Sequence, residues 1–415
     1  MPAVPYSQPV PFEPVDNATM TALVHLLQST QFGQADQLPV VVEEAGRTIG
    51  VDLTIYLVGY DQRQLIPVPR PGRPAPAPLN VEGTMAGRSF QLVEPVVVRG
   101  DQPHLWVPLL DGTERLGVLR ATLLEGVEHA EPGLQERLRW LATLIGHLVT
   151  VLGQHGDALD AVRRQHPRNI AAEMIWNLLP PLTFASDRFV AAGLVEPSYE
   201  VGGDAFDYAV TGDIAHLAIF DATGHSLAAG TATAVALAAY RNARRNGAGL
   251  YQTVRHVDQA VHEQFGGERY VTAVLAELEL TTGQLRYVGA GHPHPLVLRK
   301  GRVVKSLSEG RRPLLGLDRV ELTVAQERLE PGDWVVMFTD GITEARDQQG
   351  ELFGQQRLYD FLQREGFNRQ PPPESLRRLI KAVLEHQQGV LQDDATVLIA
   401  GWRTGAHGDL QWGAQ

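Results

Sequence analysis

Four short runs in the second half of the chain place aspartates where they could do chemistry. They are EVGGDAFD at 200–207, LAIFDATGHS at 217–226, WVVMFTDGITEA at 334–345 and LQDDATVL at 391–398. In each, an Asp adjoins an apolar, strand-like stretch. Asp is depleted inside strands, so at a strand end it puts a carboxylate on the rim of a sheet, where several can converge. Gly beside Asp permits a tight turn and exposes backbone carbonyls as further oxygen ligands. Donors that are all oxygen suit hard, octahedral cations, Mg²⁺ or Mn²⁺, better than zinc. Any one such Asp reads as a turn or cap residue; all four runs together read as a cation site. The residues alone leave open whether that site serves a phosphatase or a two-metal nuclease.

The chain that must position these carboxylates has 415 residues and carries a net charge of −12. That length is enough for two or three domains, and 44% hydrophobic with 20% charged residues is a globular composition. There is no long basic run, which argues against a nucleic-acid partner. The densest basic cluster, Arg241, Arg244 and Arg245, is expected to be a solvated helix face in preference to a phosphate-reading patch. With no cysteine, disulfides, thiolate zinc sites and cysteine nucleophiles are excluded. The N-terminal MPAVPYSQPV lacks the pattern of a signal peptide, and no run approaches the ~18 apolar residues of a membrane span. A cytoplasmic protein is expected.

Residues 1–16 read as a Pro-rich flexible leader. Helical spacing of Leu23, Leu26 and Leu27 is followed by a second helix over Leu38–Ile49, then a strand, VDLTIYLVGY, at 51–60. Residues 67–78 are too proline-dense for helix or central strand. Strands follow at 96–98, 105–110 and 116–123, the last two joined by a hairpin turn at Asp111–Gly112. This α+β segment, in AGRSF at 86–90 and HLWVPLLDGTERLGVLRAT at 104–122, resembles a GAF sensory domain. The resemblance covers 17–130 and implies a small-molecule ligand, although no cyclic-nucleotide signature accompanies it. A helical connector is expected over 131–180. Its residues Leu134, Leu138, Leu141, Ile145, Leu148 and Leu152 form a heptad seam that continues through His155, Leu159 and Val162. Such a seam must be buried, either in a parallel homodimer through residues 134–162 or against the chain's own domains.

Over residues 168–402, with the domain itself at 181–402, the motifs VGGD, DATGH, TDGITEA and DDAT, together with NLLPPLTF, GAGHPHPLVLRKG and RPLLGL, resemble the PPM-type (type 2C-like) serine/threonine phosphatases of the SpoIIE-like and RsbU-like bacterial branch. The resemblance implies an αββα sandwich with two Mn²⁺ or Mg²⁺ ions at one end, and a tail over 403–415. Asp221 would bridge the two ions and the Ala222 carbonyl would complete the first site; Asp204, Asp340 and Asp393 would hold the second ion. Asp394 would serve as an outer partner and Asp207 in support. Two such cations, about 3.5–4 Å apart, make hydroxide available near neutral pH for in-line attack on phosphorus. His225 is a candidate general acid, with a structural loop histidine the plainer reading; His292 and His294 read as turn residues. The second motif departs from the branch's usual DVSGHG, with Ser226 where Gly is common.

The expected function is a metal-dependent phosphoserine/phosphothreonine phosphatase regulated by the GAF-like sensor. The resemblance implies as substrate a phosphorylated anti-sigma-factor antagonist or a similar signalling protein. The alternative is a catalytically weak member of the same fold that binds phosphoproteins as a scaffold, for which Ser226 is the support.

Overall fold

The computed structural model describes residues 15–125, 133–197, 199–200, 202–224, 226–318, 320–365, 370–389, 391–406 and 408–411. Most of the expected leader, part of the expected tail, and His225 lie outside them, as does the side chain of Ser226. Among the described residues no helix is long and apolar enough to cross a membrane.

The N-terminal unit starts with α1 (Asn17–Thr30) and α2 (Leu38–Thr48). The Asp16 side chain caps α1, accepting from the Thr19 N–H at 2.9 Å and the Thr19 hydroxyl at 2.8 Å. The chain continues through β1 (Val51–Val58), β2 (Gln64–Pro67), β3 (Leu79–Asn80), α3 (Met85–Leu92), β4 (Val96–Val98), β5 (His104–Asp111) and β6 (Glu114–Leu123). These strands form one antiparallel sheet in the order β3-β2-β1-β6-β5-β4. The β5–β6 turn uses Gly112 at φ +58, a conformation that Gly adopts without steric cost.

The heptad seam lies on α4 (Leu134–Gly153). Its six apolar positions are buried in one core with Leu26, Val42, Ile55 and Leu105. The seam thus packs on the chain's own sheet and first helices, and the homodimer expected through residues 134–162 is not what covers it. Gly146 shows why: a Cβ there would lie 1.8 Å from the Leu110 carbonyl oxygen, so α4 presses its backbone directly on β5. The seam's helix ends at Gly153 and does not run on through Val162: His155 is exposed and α5 (Ala158–Arg163) starts afresh, followed by α6 (Ile170–Leu178), which the Asn169 side chain caps.

The remainder forms four layers. Its strands and helices are β7 (Thr183–Ala185), β8 (Phe189–Glu196), β9 (Asp204–Thr211), β10 (Ile214–Ala222), α7 (Ser226–Arg245), α8 (Leu250–Phe265), β11 (Val271–Glu279), β12 (Gln284–Ala290), β13 (Leu296–Arg299), β14 (Arg302–Ser306), β15 (Arg311–Arg312), β16 (Ala325–Arg328), β17 (Trp334–Phe338), α9 (Asp340–Thr343), α10 (Gly354–Glu365), α11 (Pro372–His386) and β18 (Ala395–Trp402). One sheet runs β15-β12-β11-β10-β9, with β16 also on β12; the other runs β14-β13-β17-β18-β8-β7. Side chains alternate along each strand. On β10, Leu217 and Ile219 enter the core between the sheets while Ala218 and Phe220 face α7 and α8. On β18, Leu398 and Ala400 face inward while Val397 and Ile399 pack against α10 and α11. Period-2 burial on both faces of both sheets produces the αββα sandwich.

The two units touch through charged and polar groups. Arg115 of β6 stands 3.5 Å from Glu374 of α11, both fully buried. Arg377 forks onto Glu374 at 2.9 and 2.8 Å and reaches Glu82 at 2.5 Å. Beside the β5–β6 turn, the Glu114 carboxylate accepts the Thr183 N–H at 2.7 Å. Glu114 also lines a cavity of about 720 Å³ between the units, together with Tyr60, Arg168 and Trp176.

Candidate active site

The topology brings the four aspartate motifs to one end of the sandwich. β9 and β10 are antiparallel neighbours, so the first residue of one meets the last residues of the other: Asp204 pairs in register with Asp221. In the facing sheet β17 and β18 are likewise antiparallel, with Phe338 opposite Val397. Asp340 therefore follows the end of one strand where Asp393 and Asp394 precede the start of the next. The two sheets are tied across this rim by side chains. The Thr339 hydroxyl donates to Asp204 Oδ2 at 2.7 Å and accepts the Thr396 N–H at 2.9 Å. Asp394 Oδ2 accepts three backbone N–H groups, those of Gly202 and Gly203 at 2.7 Å and of Asp204 at 3.2 Å.

Two glycines keep the motifs in contact. A Cβ on Gly341 would lie 1.8 Å from the Asp394 carbonyl oxygen, so only Gly lets the TDG turn pass the DDAT turn. A Cβ on Gly203 would lie 2.9 Å from the Ala222 carbonyl oxygen, the atom expected to take part in cation binding. A larger residue at 203 would therefore crowd that oxygen.

Burial and like charge at one rim raise the proton affinity of Asp204, Asp221, Asp340 and Asp394. Burial, then the charges of Asp340, Asp393 and Asp394, push Asp221 up to about 7. Burial, then Asp221 and Asp394, hold Asp204 well above the usual carboxylate range. Asp340 is raised by burial and then by Asp393 and Glu344. Asp394 is raised by burial, against the lowering effect of its backbone donors. Such a cluster is short of positive charge, and divalent cations are the natural complement. Among the described residues no group of three His, Asp or Glu side chains is already arranged to hold a metal ion. The residue types, all-oxygen donors from four strand ends, fit hard divalent ions.

Other expected residues fall elsewhere. Asp207, of opposite parity to Asp204 on β9, turns to the outer face and pairs with Arg241 at 2.7 Å and Arg244 at 3.3 Å on α7. It does not join the rim. These contacts also correct the reading of the arginine cluster: Arg241 and Arg244 neutralise a buried carboxylate, and only Arg245 is solvated. His294 is exposed, whereas His292 is buried, with Nδ1 2.7 Å from the Thr272 hydroxyl, which in turn stands 3.4 Å from Asp221 Oδ2. Sequence reasoning missed Thr272, Thr339 and the role of His292. Thr339 was within reach as the residue before the DG of its motif; Thr272 carries no local signal.

Residues 211–403 match the family described as Stage II sporulation protein E (SpoIIE), a span that includes Asp221, Asp340 and Asp393. The chain is 27% identical over 154 residues to Protein IcfG of Synechocystis sp., covering 37% of this chain and 22% of that one. It is 22% identical over 239 residues to the phosphoserine phosphatase RsbU of Bacillus subtilis, covering 55% of this chain and 68% of RsbU. The match thus spans about a fifth of IcfG and two thirds of RsbU. Among solved structures, the SiaA-PP2C domain of Pseudomonas aeruginosa aligns at a TM-score of 0.48 and 23% identity, covering 60% of this chain and 98% of that domain. The sandwich thus carries, over residues 211–403, a stretch that matches the SpoIIE family and is similar to RsbU.

Proposed function

We propose that the chain is a metal-dependent protein serine/threonine phosphatase whose N-terminal GAF-like unit regulates turnover. The carrying observation is the meeting of Asp204, Asp221, Asp340 and Asp393 at one rim, from four strand ends in two sheets. Asp221 and the Ala222 carbonyl would hold one Mn²⁺ or Mg²⁺, and Asp204, Asp340 and Asp393 a second. When bound, such ions supply Lewis acidity toward water and the phosphoryl oxygens. The chain's own groups prepare the place: Thr339 orients Asp204, Asp394 fixes the Gly202–Asp204 loop, and Gly341 lets the two motifs touch.

The substrate we favour is a phosphoserine or phosphothreonine on a small signalling protein of the anti-sigma-factor antagonist kind. Support comes from the homology to RsbU, whose name describes a phosphoserine phosphatase. The signal would be a small molecule taken by the N-terminal unit, passed on through the contacts of Arg115 and Glu114 with the sandwich. The test is phosphate release from an aryl phosphate and from a phosphorylated antagonist protein, with Mn²⁺. Activity that Asp221→Asn abolishes supports the reading. If wild type and Asp221→Asn are equally inert yet both retain the phosphoprotein, the scaffold alternative stands instead.

A further inference from the structure

The GHPHP turn follows β12, whose Ala290 pairs with Ala273 of β11. β11 in turn places Thr272 opposite Asp221 of β10. Three adjacent strands thus line up Asp221, Thr272 and His292 across the sheet. The distances are 3.4 Å from Asp221 Oδ2 to the Thr272 hydroxyl and 2.7 Å from that hydroxyl to His292 Nδ1. His292 is 6% exposed. Its Nε2 is buried beside the backbone of Phe338, two residues before Asp340, without a well-formed hydrogen bond. The ring is therefore packed between the ends of β11 and β17, the strands that flank the DATG and TDG motifs.

A hydroxyl has one hydrogen to give and lone pairs to receive, so the Thr272 oxygen can contact the His292 ring and the Asp221 carboxylate together. Burial holds the imidazole neutral, pushing its pKa down to about 3. The ring, packed on its other side against the backbone of Phe338, in turn holds the Thr272 hydroxyl beside Asp221 Oδ2.

We propose that His292 is a positioning residue for Asp221, acting through the Thr272 hydroxyl. The inference rests on the reading of Asp221 as a cation ligand. Partners of this kind behind a ligating group commonly govern metal affinity by 10–100-fold.

The experiment uses the full chain and calorimetric titration with Mn²⁺. His292→Leu and Thr272→Val should each weaken Mn²⁺ binding about tenfold or more, and the double variant should be no weaker than either single one. His292→Asn sets a polar amide near the place of Nδ1 and should restore binding to within about threefold of wild type, as should Thr272→Ser. Should His292→Leu melt before titration, Thr272→Val, which keeps the volume, decides. Wild-type affinity in both Leu and Val variants overturns the inference while leaving the cation site intact. A wild-type chain that binds no Mn²⁺ overturns the site and the inference together.

Discussion

Two clusters of charge stand in this chain, one around the buried Arg115 and Glu374 and one at the rim of the sandwich, and they are built on opposite plans. At the interface, Arg115, Arg377, Glu374 and Glu82 alternate in sign, and each carboxylate meets a guanidinium. At the rim of the sandwich, Asp204, Asp221, Asp340, Asp393 and Asp394 share one sign, and their nearest donors are hydroxyls and backbone N–H groups. The first cluster is balanced within itself and does structural work; in the second, on the proposed reading, divalent cations would supply the balance. Glu114 lies between the two plans, a single carboxylate facing a cavity, with one backbone donor and arginines further off.

The largest effect should come from breaking the compensated cluster. Glu374→Ala leaves Arg115 buried without its counter-charge and should cost about 3–5 kcal/mol, read from urea unfolding. Replacing Arg115, Glu374 and Arg377 together with apolar residues of similar volume should recover most of that loss, because a paired network costs little to exchange for a packed one. The uncompensated cluster should answer differently. Asp221→Asn removes charge from a site with too much of one sign, so the cation-free protein should hold or gain stability. Mn²⁺-dependent phosphate release should meanwhile fall at least about a hundredfold, about 2.7 kcal/mol in the barrier. A loss of stability on that substitution would place Asp221 in the structural class.

Asp394→Ala sharpens the contrast within the rim. Three N–H groups lose their acceptor, so about 2 kcal/mol of stability should go with the cation affinity, whereas Asp394→Asn, which keeps an oxygen, should retain most of the stability. The smallest effect belongs to Glu114. Burial is the main cause that raises its pKa to about 7, against 4.5 for the free side chain. The folded state therefore binds the proton more tightly, and stability falls as pH rises from about 4.5 to 7. Glu114→Gln keeps an acceptor for Thr183 and removes the charge. It should be about 1 kcal/mol more stable than wild type at pH 8, allowing for solvent in the cavity, and equal to it near pH 5. Denaturant midpoints across that range measure this.

Much of this was legible in the chain, for identifiable reasons. Strand-end aspartates with adjacent glycines announce a rim site because Asp and Gly are both poor strand residues. Alternating apolar runs gave the N-terminal strands 51–60, 105–110 and 116–123 nearly in place. The αββα layering came from the family resemblance, since local periodicity does not reveal which strands face which helices. The partner of the α4 seam was equally hidden. A 3-4 spacing states that a face is buried and says nothing about what buries it; only the approach of Gly146 to Leu110 decides. Asp207 was misplaced because three residues along a strand reverse the face, and its arginines lie about thirty-five positions away. The line from Asp221 to His292 spans three strands that are adjacent only once β10, β11 and β12 have paired.

The placement of the site on four strand ends in two sheets also ties ligand capture to the completeness of the fold. No single hairpin or single sheet holds the set: Asp204 and Asp221 come from one layer, Asp340 and Asp393 from the other, and Thr339 joins them only when the layers are stacked. A half-formed domain could not bind the ions in this way. On the proposed reading their binding free energy would add to the stability of the entire sandwich, growing for each ion by about 1.4 kcal/mol per tenfold rise in cation concentration above its dissociation constant. Divalent ions would then favour chains whose two layers have already met.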